Sequence, residues 1–537
     1  MANTFKKVID RLMWAQVAPA PNASAAATSV VSDLRSGVSR NPFVYNLVSA
    51  TVLNRYNIVT KAWNFVQSPA LTGTFGAGSA MAFAPSLGLV GTIAAGATTS
   101  SVTLSTALPT AVGLNMLANR GGSGEYGFKL RITDTTAGKT EERYIIGNSA
   151  SATPAIQVLS PFSFTPATGA RYEIIAGRVF MLSAGVLASN AWRSLEVASN
   201  TLSTGLSITG LPATVGTDSS VMVLDEQYVP YDCTPGEGMI KGAFVYDTGL
   251  ETRSALTATA SGASTLTGQA TNGDSVVAAN EFRNFQIRIV QDTVTPAAVG
   301  QRRVIASHTA GPSPVYTTGT AWTTQPSSSA KYVIELPNLM LVRSTATTTV
   351  YTYNYGDATI NNGTNSILTN AWSTTYFGAA TVANASGGMW APSFGIRPDA
   401  GRNARNSFCY FFRGGVTTLD VLDIAGSITG TWTANVTYDG AVALTVGTSG
   451  CLAPFENEGR MFYMNIYVAS AVNQMYRFDV QNRVLSPFTP TDFLQSGTAA
   501  LGQRMAAYCA NDGTDTYDVI LLQSHLSTVA QEMVVLV

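Results

Sequence analysis

The sequence predicts an all-β protein: a β-propeller-like body built from short blades, with two homologous small β domains inserted and an N-terminal arm. Three observations support this prediction. Short apolar runs recur along the chain, hairpins with a bulky anchor residue accompany them, and one long stretch of sequence occurs twice. Because the chain has 537 residues, we expect several domains or one large ring-like fold rather than a single ordinary core.

The repeated stretch is the strongest of these signals. Residues 143–174 and residues 303–334 align without a gap, and an upstream match joins Phe128–Ile132 to Phe285–Ile289. The aligned identities are Arg143/Arg303, Ile145/Ile305, Ala150/Ala310, Pro154/Pro314, Pro166/Pro326, Ala170/Ala330, Tyr172/Tyr332 and Ile174/Ile334. An ordered repeat of this length indicates one structural module used twice.

The apolar runs are continuous rather than alternating. They are Val179–Leu182, Leu339–Val342, Phe408–Phe412, Met461–Met464 and Val519–Leu522. A continuous apolar run is typical of a strand that is buried on both faces. We therefore interpret these runs as the inner strands of the blades.

Hairpins with a large anchor residue follow most of these runs. One leads from Leu422 to Trp432, and another from Tyr353 to Trp372 across a polar loop. The pattern Tyr-Asn-x-x-Thr-x-x-Trp at Tyr56–Trp63 resembles the outer hairpin of a kelch-type propeller blade. The Gly-Gly pair that opens such blades is mostly missing, with partial exceptions at Gly387-Gly388 and Gly414-Gly415. A string of separate β-sandwiches is the alternative architecture.

The expected domain boundaries follow from these elements. They are an arm with a short helix (1–42), first propeller strands (43–84), module copy 1 (85–178), propeller blades (179–255), module copy 2 (256–336) and blades that close the ring (337–537).

The N-terminal arm is the predicted assembly contact. Residues 4–15 place bulky apolar side chains at roughly helical spacing, and Pro19 would stop that helix. An arm of this composition has too little apolar surface to order itself. We therefore expect four of its side chains to be buried against another chain: Phe5, Leu12, Met13 and Trp14.

The overall charge excludes two classes of partner. Charged residues make up only 12% of the chain, with 31 Lys and Arg against 32 Asp and Glu. We therefore expect no nucleic-acid partner and no membrane partner. The longest apolar stretch, residues 88–97, is too short to span a bilayer, and Asp10 and Arg11 interrupt the only run that could act as an export signal.

Catalytic, metal and cofactor sites are not predicted. The two histidines, His308 and His525, lie near no serine in a nucleophile-elbow motif, and the four cysteines are scattered as isolated thiols. Asp225-Glu226 and Asp292 are the remaining candidates, but adjacent acids on a strand point to opposite faces. Asp292, close in sequence to Arg302-Arg303, is interpreted as a structural ion pair. The protein is therefore expected not to be an enzyme.

The module carries a second resemblance. Residues Arg288–Ile334 contain, in this order, Arg-Ile, a Gly followed by Gln-Arg-Arg-x-Ile-x-Ser, an aromatic residue, a Pro and Tyr-x-Ile. This order of sequence elements is similar to a β-rich module of virion proteins of tailed bacteriophages. This resemblance implies a structural component of the head surface, neck or tail, made in the host cytoplasm and located in the virion. Its partners would be other virion proteins and further copies of itself.

An alternative function is that of a receptor- or glycan-binding tail protein. Aromatic residues in a Gly/Ser/Asn-rich region, Trp372, Tyr376 and Trp390, would then be exposed and stack on a host surface glycan.

Overall fold

The fold is known from a computed structural model of the chain. It describes residues 14–23, 29–32, 43–49, 51–58, 60–65, 75, 78–118, 128–216, 220–226, 255–268, 278–385, 388–392, 407–440, 442–443, 449–453, 461–468, 472–479, 482–488, 504–511, 516–523 and 530–535. The regular elements in these ranges are β-strands and one short 3-10 helix, Pro296–Ala298. The prediction of an all-β protein is confirmed.

Six four-stranded antiparallel sheets form the blades of a propeller. From the centre outward, blade 1 consists of Ser29–Ser32, Phe43–Ser49, Val52–Asn57 and Ala62–Phe65, and blade 2 consists of Ala80–Ala84, Arg178–Leu182, Trp192–Glu196 and Thr201–Leu202. In the same order, blade 3 consists of Ser220–Leu224, Leu339–Arg343, Val350–Asn354 and Ala371–Ser373, and blade 4 consists of Met389–Pro392, Phe408–Phe412, Thr418–Asp423 and Thr431–Thr437. Blade 5 consists of Ser449–Ala453, Met461–Val468, Val472–Asp479 and Val484–Phe488, and blade 6 consists of Arg504–Asn511, Thr516–Gln523, Ala530–Val535 and Trp14–Gln16.

The ring closes in two ways. The innermost strand of each blade contacts the innermost strand of the next, and that of blade 6 contacts that of blade 1. In addition, the N-terminal strand Trp14–Gln16 is the outermost strand of blade 6, where Trp14 lies opposite Met533. Each end of the chain therefore contributes to the same sheet, which removes an open edge from the ring.

The continuous apolar runs, which we interpret from the sequence as inner strands, are the second strands of their blades, one strand out from the centre. A second strand has a strand on either edge and a neighbouring blade against each face, which explains why both its faces are apolar. The anchored hairpins are the third and fourth strands, as the kelch-type pattern predicts. In blade 1, the Tyr56 and Trp63 rings of that pattern lie 5.0 Å apart between centroids.

The helix predicted for residues 4–15 is wrong at its C-terminal end. Trp14 and Ala15 lie in a strand, and Ser29–Ser32, farther along the arm, is also a strand. Phe5, Leu12, Met13 and the side chain of Trp14 lie outside the described residues. Their role as an assembly contact stays a prediction.

The two module copies share one topology. Copy 1 consists of Gly88–Thr92, Ser101–Thr103, Lys129–Asp134, Lys139–Asn148, Ala155–Val158 and Arg171–Ile175; copy 2 consists of Leu256–Thr257, Ala260–Gly262, Thr265–Thr267, Gln286–Gln291, Arg302–His308, Val315–Thr318 and Lys331–Glu335. Two short strand pairs lie outside blades and modules: Gly185–Val186 with Thr214–Val215, and Ile360–Asn361 with Ser366–Ile367.

Each copy lies in the chain between the first and second strands of a blade, copy 1 in blade 2 and copy 2 in blade 3. The copies are joined edge to edge by the pair Lys139 and Gln291, which makes one 13-stranded sheet. The apolar core of copy 2 is continuous with that of blades 3 to 5. Independent folding of a module therefore stays a prediction.

The repeated residues hold corresponding turns in place. Arg143 donates through Nε to the carbonyl of Pro161 and lies 5.2 Å from the Phe162 ring centroid. In copy 2, Arg303 donates to the carbonyl of Ala321 and lies 5.6 Å from the Trp322 ring. The shared arginine is thus a structural clamp, since its donors are used within the module.

Candidate functional site: a charged cleft between the two module copies

A cluster of charged side chains fills the junction of copy 1, copy 2 and blade 3. Most of its members are at most 1% exposed: Lys129, Arg131, Glu142, Glu226, Arg288 and Glu335. The cluster is completed by Arg171, Glu173, Arg302 and Asp357, which lie closer to solvent. Charges are rarely buried unless they are paired, so a buried cluster of this size is an unusual feature of the described chain.

Strand register explains how copy 1 contributes to the cluster. Arg131 lies directly opposite Glu142 on one neighbouring strand and Glu173 on the other. Its Nη2 donates to Glu142 at 2.7 Å, and its Nη1 donates at 2.6 Å to both Glu173 and Glu226. Three carboxylates therefore surround one guanidinium, two of them placed by cross-strand pairing.

Copy 2 places different residues at the same positions. Arg288 corresponds to Arg131, but its cross-strand neighbours are Arg302 and Val333. Its carboxylate partner is Glu335, at 3.2 Å from Nε and 3.4 Å from Nη2. The two copies therefore differ in charge around a shared arginine.

The carboxylate of Glu173 is held in its ionised form. Burial alone would raise the pKa of Glu173, but the guanidinium groups of Arg131, Arg302 and Arg171 outweigh it and lower that pKa to about 2. For Arg131, burial opposes the charged form, and the nearby carboxylates more than offset this and raise its pKa. A group with so low a pKa does not act as a proton donor near neutral pH.

A solvent-open cleft of about 380 Å³ lies over this cluster. Copy 1 contributes Thr133 and Arg171 to its walls, and copy 2 contributes Gly300 and Arg302. Asp357, from the loop after the third strand of blade 3, contacts the guanidinium of Arg171 and lies 3.6 Å from Nη1 of Arg302. The cleft is large enough for a ligand of about monosaccharide size.

The side chains of Asp225 and Glu226 point to different partners, as expected for adjacent residues whose side chains alternate between faces. Asp225 accepts hydrogen bonds from the hydroxyls of Ser86 and Tyr355, whereas Glu226 pairs with Arg131 and Arg302. They therefore share no site.

The interpretation of Asp292 as an ion pair is wrong. Its carboxylate accepts backbone N–H groups of Val294, Thr295 and Ser327. Asp134 does the same in copy 1, accepting from Ala167 across the module. These acids fix turns of the repeat, which is why the position recurs.

The three aromatics predicted to stack on a glycan are buried, so the prediction that they are exposed is wrong. Trp372 packs between Trp192 and Tyr353 and donates its indole N–H to Ser207. Tyr376 is fully buried, and Trp390 packs on Phe411. All three are packed within or between blades, Trp372 on the outermost strand of blade 3 and Trp390 on the innermost strand of blade 4, so each ring serves packing.

The remaining reactive side chains have structural surroundings. His308 accepts the backbone N–H of Phe282 through Nε2, the place that Asn148 takes for Leu117 in copy 1. Cys409 is a free and buried thiol, in agreement with the expectation of isolated thiols, and Cys451 is buried. Within the described ranges, no three His, Cys, Asp or Glu side chains lie close enough to hold a metal ion.

Sequence reasoning missed the charged cleft. Arg131 and Arg288 are both inside the aligned upstream match, and Glu142 aligns with Arg302. The exchange of an acid for a base at an aligned position was a usable signal, because it indicates that the two copies are complementary at that point.

Comparison with known proteins adds little to the sheet topology. No protein-family model matches the chain, and no curated protein matches it. The crystal structure of Saccharomyces cerevisiae Sqt1 aligns over 98% of this chain and 99% of its own, with 11% identity and a TM-score of 0.27. A structural genomics protein of unknown function from Bacteroides thetaiotaomicron aligns over 84% and 96%, with 8% identity and a TM-score of 0.22. The propeller assignment therefore rests on the order of the strands.

Among the described residues, no helix is long and apolar enough to cross a membrane.

Proposed function

We propose that this chain is a structural component of a tailed bacteriophage particle, on the head surface, neck or tail. In this proposal it assembles with neighbouring virion subunits through its N-terminal arm. The observation that supports this proposal is that the residues on which the resemblance to a virion module depends have structural roles in the module. Arg303 clamps a turn, Tyr332 is buried in the core and Gln301 accepts the backbone N–H of Thr323.

A non-catalytic role agrees with the electrostatics of the cleft. The acids of the cluster are paired with arginines, and the pKa of Glu173 is near 2, so that carboxylate is not poised to donate a proton. A general acid in a glycosidase needs the opposite shift, a raised pKa. The glycan-binding alternative loses its candidate contacts, because Trp372, Tyr376 and Trp390 are buried.

The test is the location of the protein. Phage particles are purified on a density gradient from a culture that produces this chain. One sample of the particles is labelled with gold-conjugated antibody against the chain, and another is analysed by mass spectrometry. We expect the chain in the particle fraction at a fixed ratio to the major capsid protein, with gold at one location on the particle. Recovery of the chain only from the particle-free fraction would contradict the proposal.

A further inference from the structure

The cleft between the copies has an imbalance in its walls. Five arginines line it: Arg131, Arg171, Arg288, Arg302 and Arg303. Two carboxylates border it with them, those of Glu173 and Asp357. The other acids of the cluster, Glu142, Glu226 and Glu335, are fully buried behind these walls. The cleft therefore presents mainly cationic groups to whatever enters it.

The internal repeat shows where acceptors are lacking. In copy 1, Arg131 lies between Glu142 and Glu173 on the neighbouring strands. In copy 2, the corresponding Arg288 lies between Arg302 and Val333, so one flanking position carries a like charge and the other carries none. The environment of Arg288 is thus short of negative charge relative to that of its counterpart.

Among the described residues, two arginine nitrogen atoms lack a hydrogen-bond acceptor as a result of this shortage of negative charge. Nη1 of Arg288 is buried and has no hydrogen-bond partner in the part of the chain that the structure describes. Nε of Arg302 also lacks a hydrogen bond there, since the oxygen of Glu335 lies 3.9 Å away. A buried donor without an acceptor is costly, and more so when it carries charge. A bound oxyanion would supply the missing acceptor.

Asp357 stands at the mouth of the cleft. Its side chain is 38% exposed, and its carboxylate contacts Arg171 and lies near Arg302. An exposed ion pair of this kind contributes little to stability, so the same arginines remain able to engage a second anion. The ligand would then compete with, or lie beside, the carboxylate of Asp357.

We propose that this cleft binds a small ligand through an oxyanion, a carboxylate or phosphate group, held by Arg288 and Arg302 with Arg171 at the entrance. Arginine is suited to this task because its planar group donates two parallel hydrogen bonds to such anions. The proposal is independent of the location of the protein in a particle. Two classes of ligand carry such an anionic group, an acidic sugar with a carboxylate and a phosphate ester.

The test is calorimetric titration of the full chain at low ionic strength with glucuronate, inorganic phosphate and, as a neutral match, glucose. We expect saturable binding of at least one oxyanion and none of glucose; the anion that binds identifies the source. Arg302→Gln should weaken binding by about tenfold or more, as for the loss of a hydrogen bond to a charged group.

A second pair of variants guards against a folding artefact. Arg171→Gln and Lys331→Gln each remove one positive charge at corresponding positions of the two copies, but only Arg171 borders the cleft. Arg171→Gln should weaken binding several-fold, Lys331→Gln should leave it unchanged, and Asp357→Asn should strengthen it. The proposal fails if neither oxyanion binds at about 10 mM, well above a millimolar dissociation constant. It also fails if Lys331→Gln weakens binding as much as Arg171→Gln.

Discussion

The guanidinium of Arg343 and the carboxylate of Asp420 lie 2.9 Å apart with neither side chain exposed, and they join blade 3 to blade 4. Arg343 also lies 4.1 Å from the centroid of the Phe411 ring and donates to the carbonyl of Val382. Burial lowers the pKa of Arg343, although Asp420 opposes that effect. Blades 3 and 4 are therefore joined by a buried ion pair as well as by apolar packing.

Removal of one partner of this pair should destabilise the ring. Asp420→Ala leaves Arg343 buried without its carboxylate, and we expect a loss of about 3–5 kcal/mol in the free energy of unfolding. Arg343→Met should cost less, because Asp420 keeps Arg413 at 3.3 Å and the new side chain is apolar. Urea denaturation measures both. Equal losses in the two variants, or a loss no greater than that of Asp357→Asn in the exposed pair, would contradict this account.

Acid should weaken the junction between the copies through Glu173. Its folded pKa of about 2 lies below its ordinary value of 4.5, so its stabilising effect is complete above pH 4.5 and is lost as the pH falls toward 2. This shift corresponds to about 3 kcal/mol. Glu173→Gln should therefore flatten the stability profile in this range, as measured by denaturation at a series of pH values.

Glu196→Gln is the matched control, with the opposite sign. Burial raises the pKa of Glu196, although Arg178 opposes it. Its charged form therefore costs stability as the pH rises above 4.5, and Glu196→Gln should remove that cost near neutral pH. Identical pH profiles for the two variants would show that neither shift controls stability.

Trp322 should be a main anchor of copy 2. It is 6% exposed and lies under the guanidinium of Arg303. We expect Trp322→Ala to cost about 3–5 kcal/mol, as for other large-to-small changes in a core. Phe162→Ala tests the corresponding position of copy 1 and should cost a similar amount. A loss below about 1 kcal/mol for Trp322→Ala would show that the module core lies elsewhere.

The same residues test whether the module is autonomous. A segment spanning residues 256–336 is expected to fold alone, with Tyr332, Trp322 and Ile305 as its core, all of them buried in the full chain. Cooperative thermal unfolding of that segment, followed by circular dichroism, is the measurement. A featureless melt would show that the segment depends on its contacts with blades 3 to 5.

The arm should be dissected in two steps. Deletion of residues 2–40 removes the outermost strand of blade 6 and the innermost strand of blade 1, so it should destabilise the ring itself. Deletion of residues 2–12 leaves both strands and removes Phe5 and Leu12. We expect the shorter deletion to keep the melting temperature while abolishing incorporation into particles. Normal incorporation would place the assembly contact elsewhere.

The sequence alone was sufficient for the features that depend on local pattern. Strand-length apolar runs and anchored hairpins each depend on neighbouring residues and predict β structure. The ungapped repeat is visible by comparing the sequence with itself and predicts one module used twice. The turn chemistry of Asp134 and Asp292 is also local, because each acid accepts N–H groups within two or three residues of itself, but from the sequence Asp292 is interpreted as part of an ion pair instead.

Only the tertiary structure decided which strands lie at the centre, where the arm goes and which charges meet. A buried second strand and a buried first strand have the same apolar composition, so Val179–Leu182 could not be ordered within its blade from sequence. Trp14–Gln16 gains its strand pairing from residues at the other end of the chain. Arg131 meets Glu226, and Arg302 meets Asp357, only because two module copies and a blade converge. Such long-range pairings depend on the path of the whole chain, and a local sequence pattern does not predict that path.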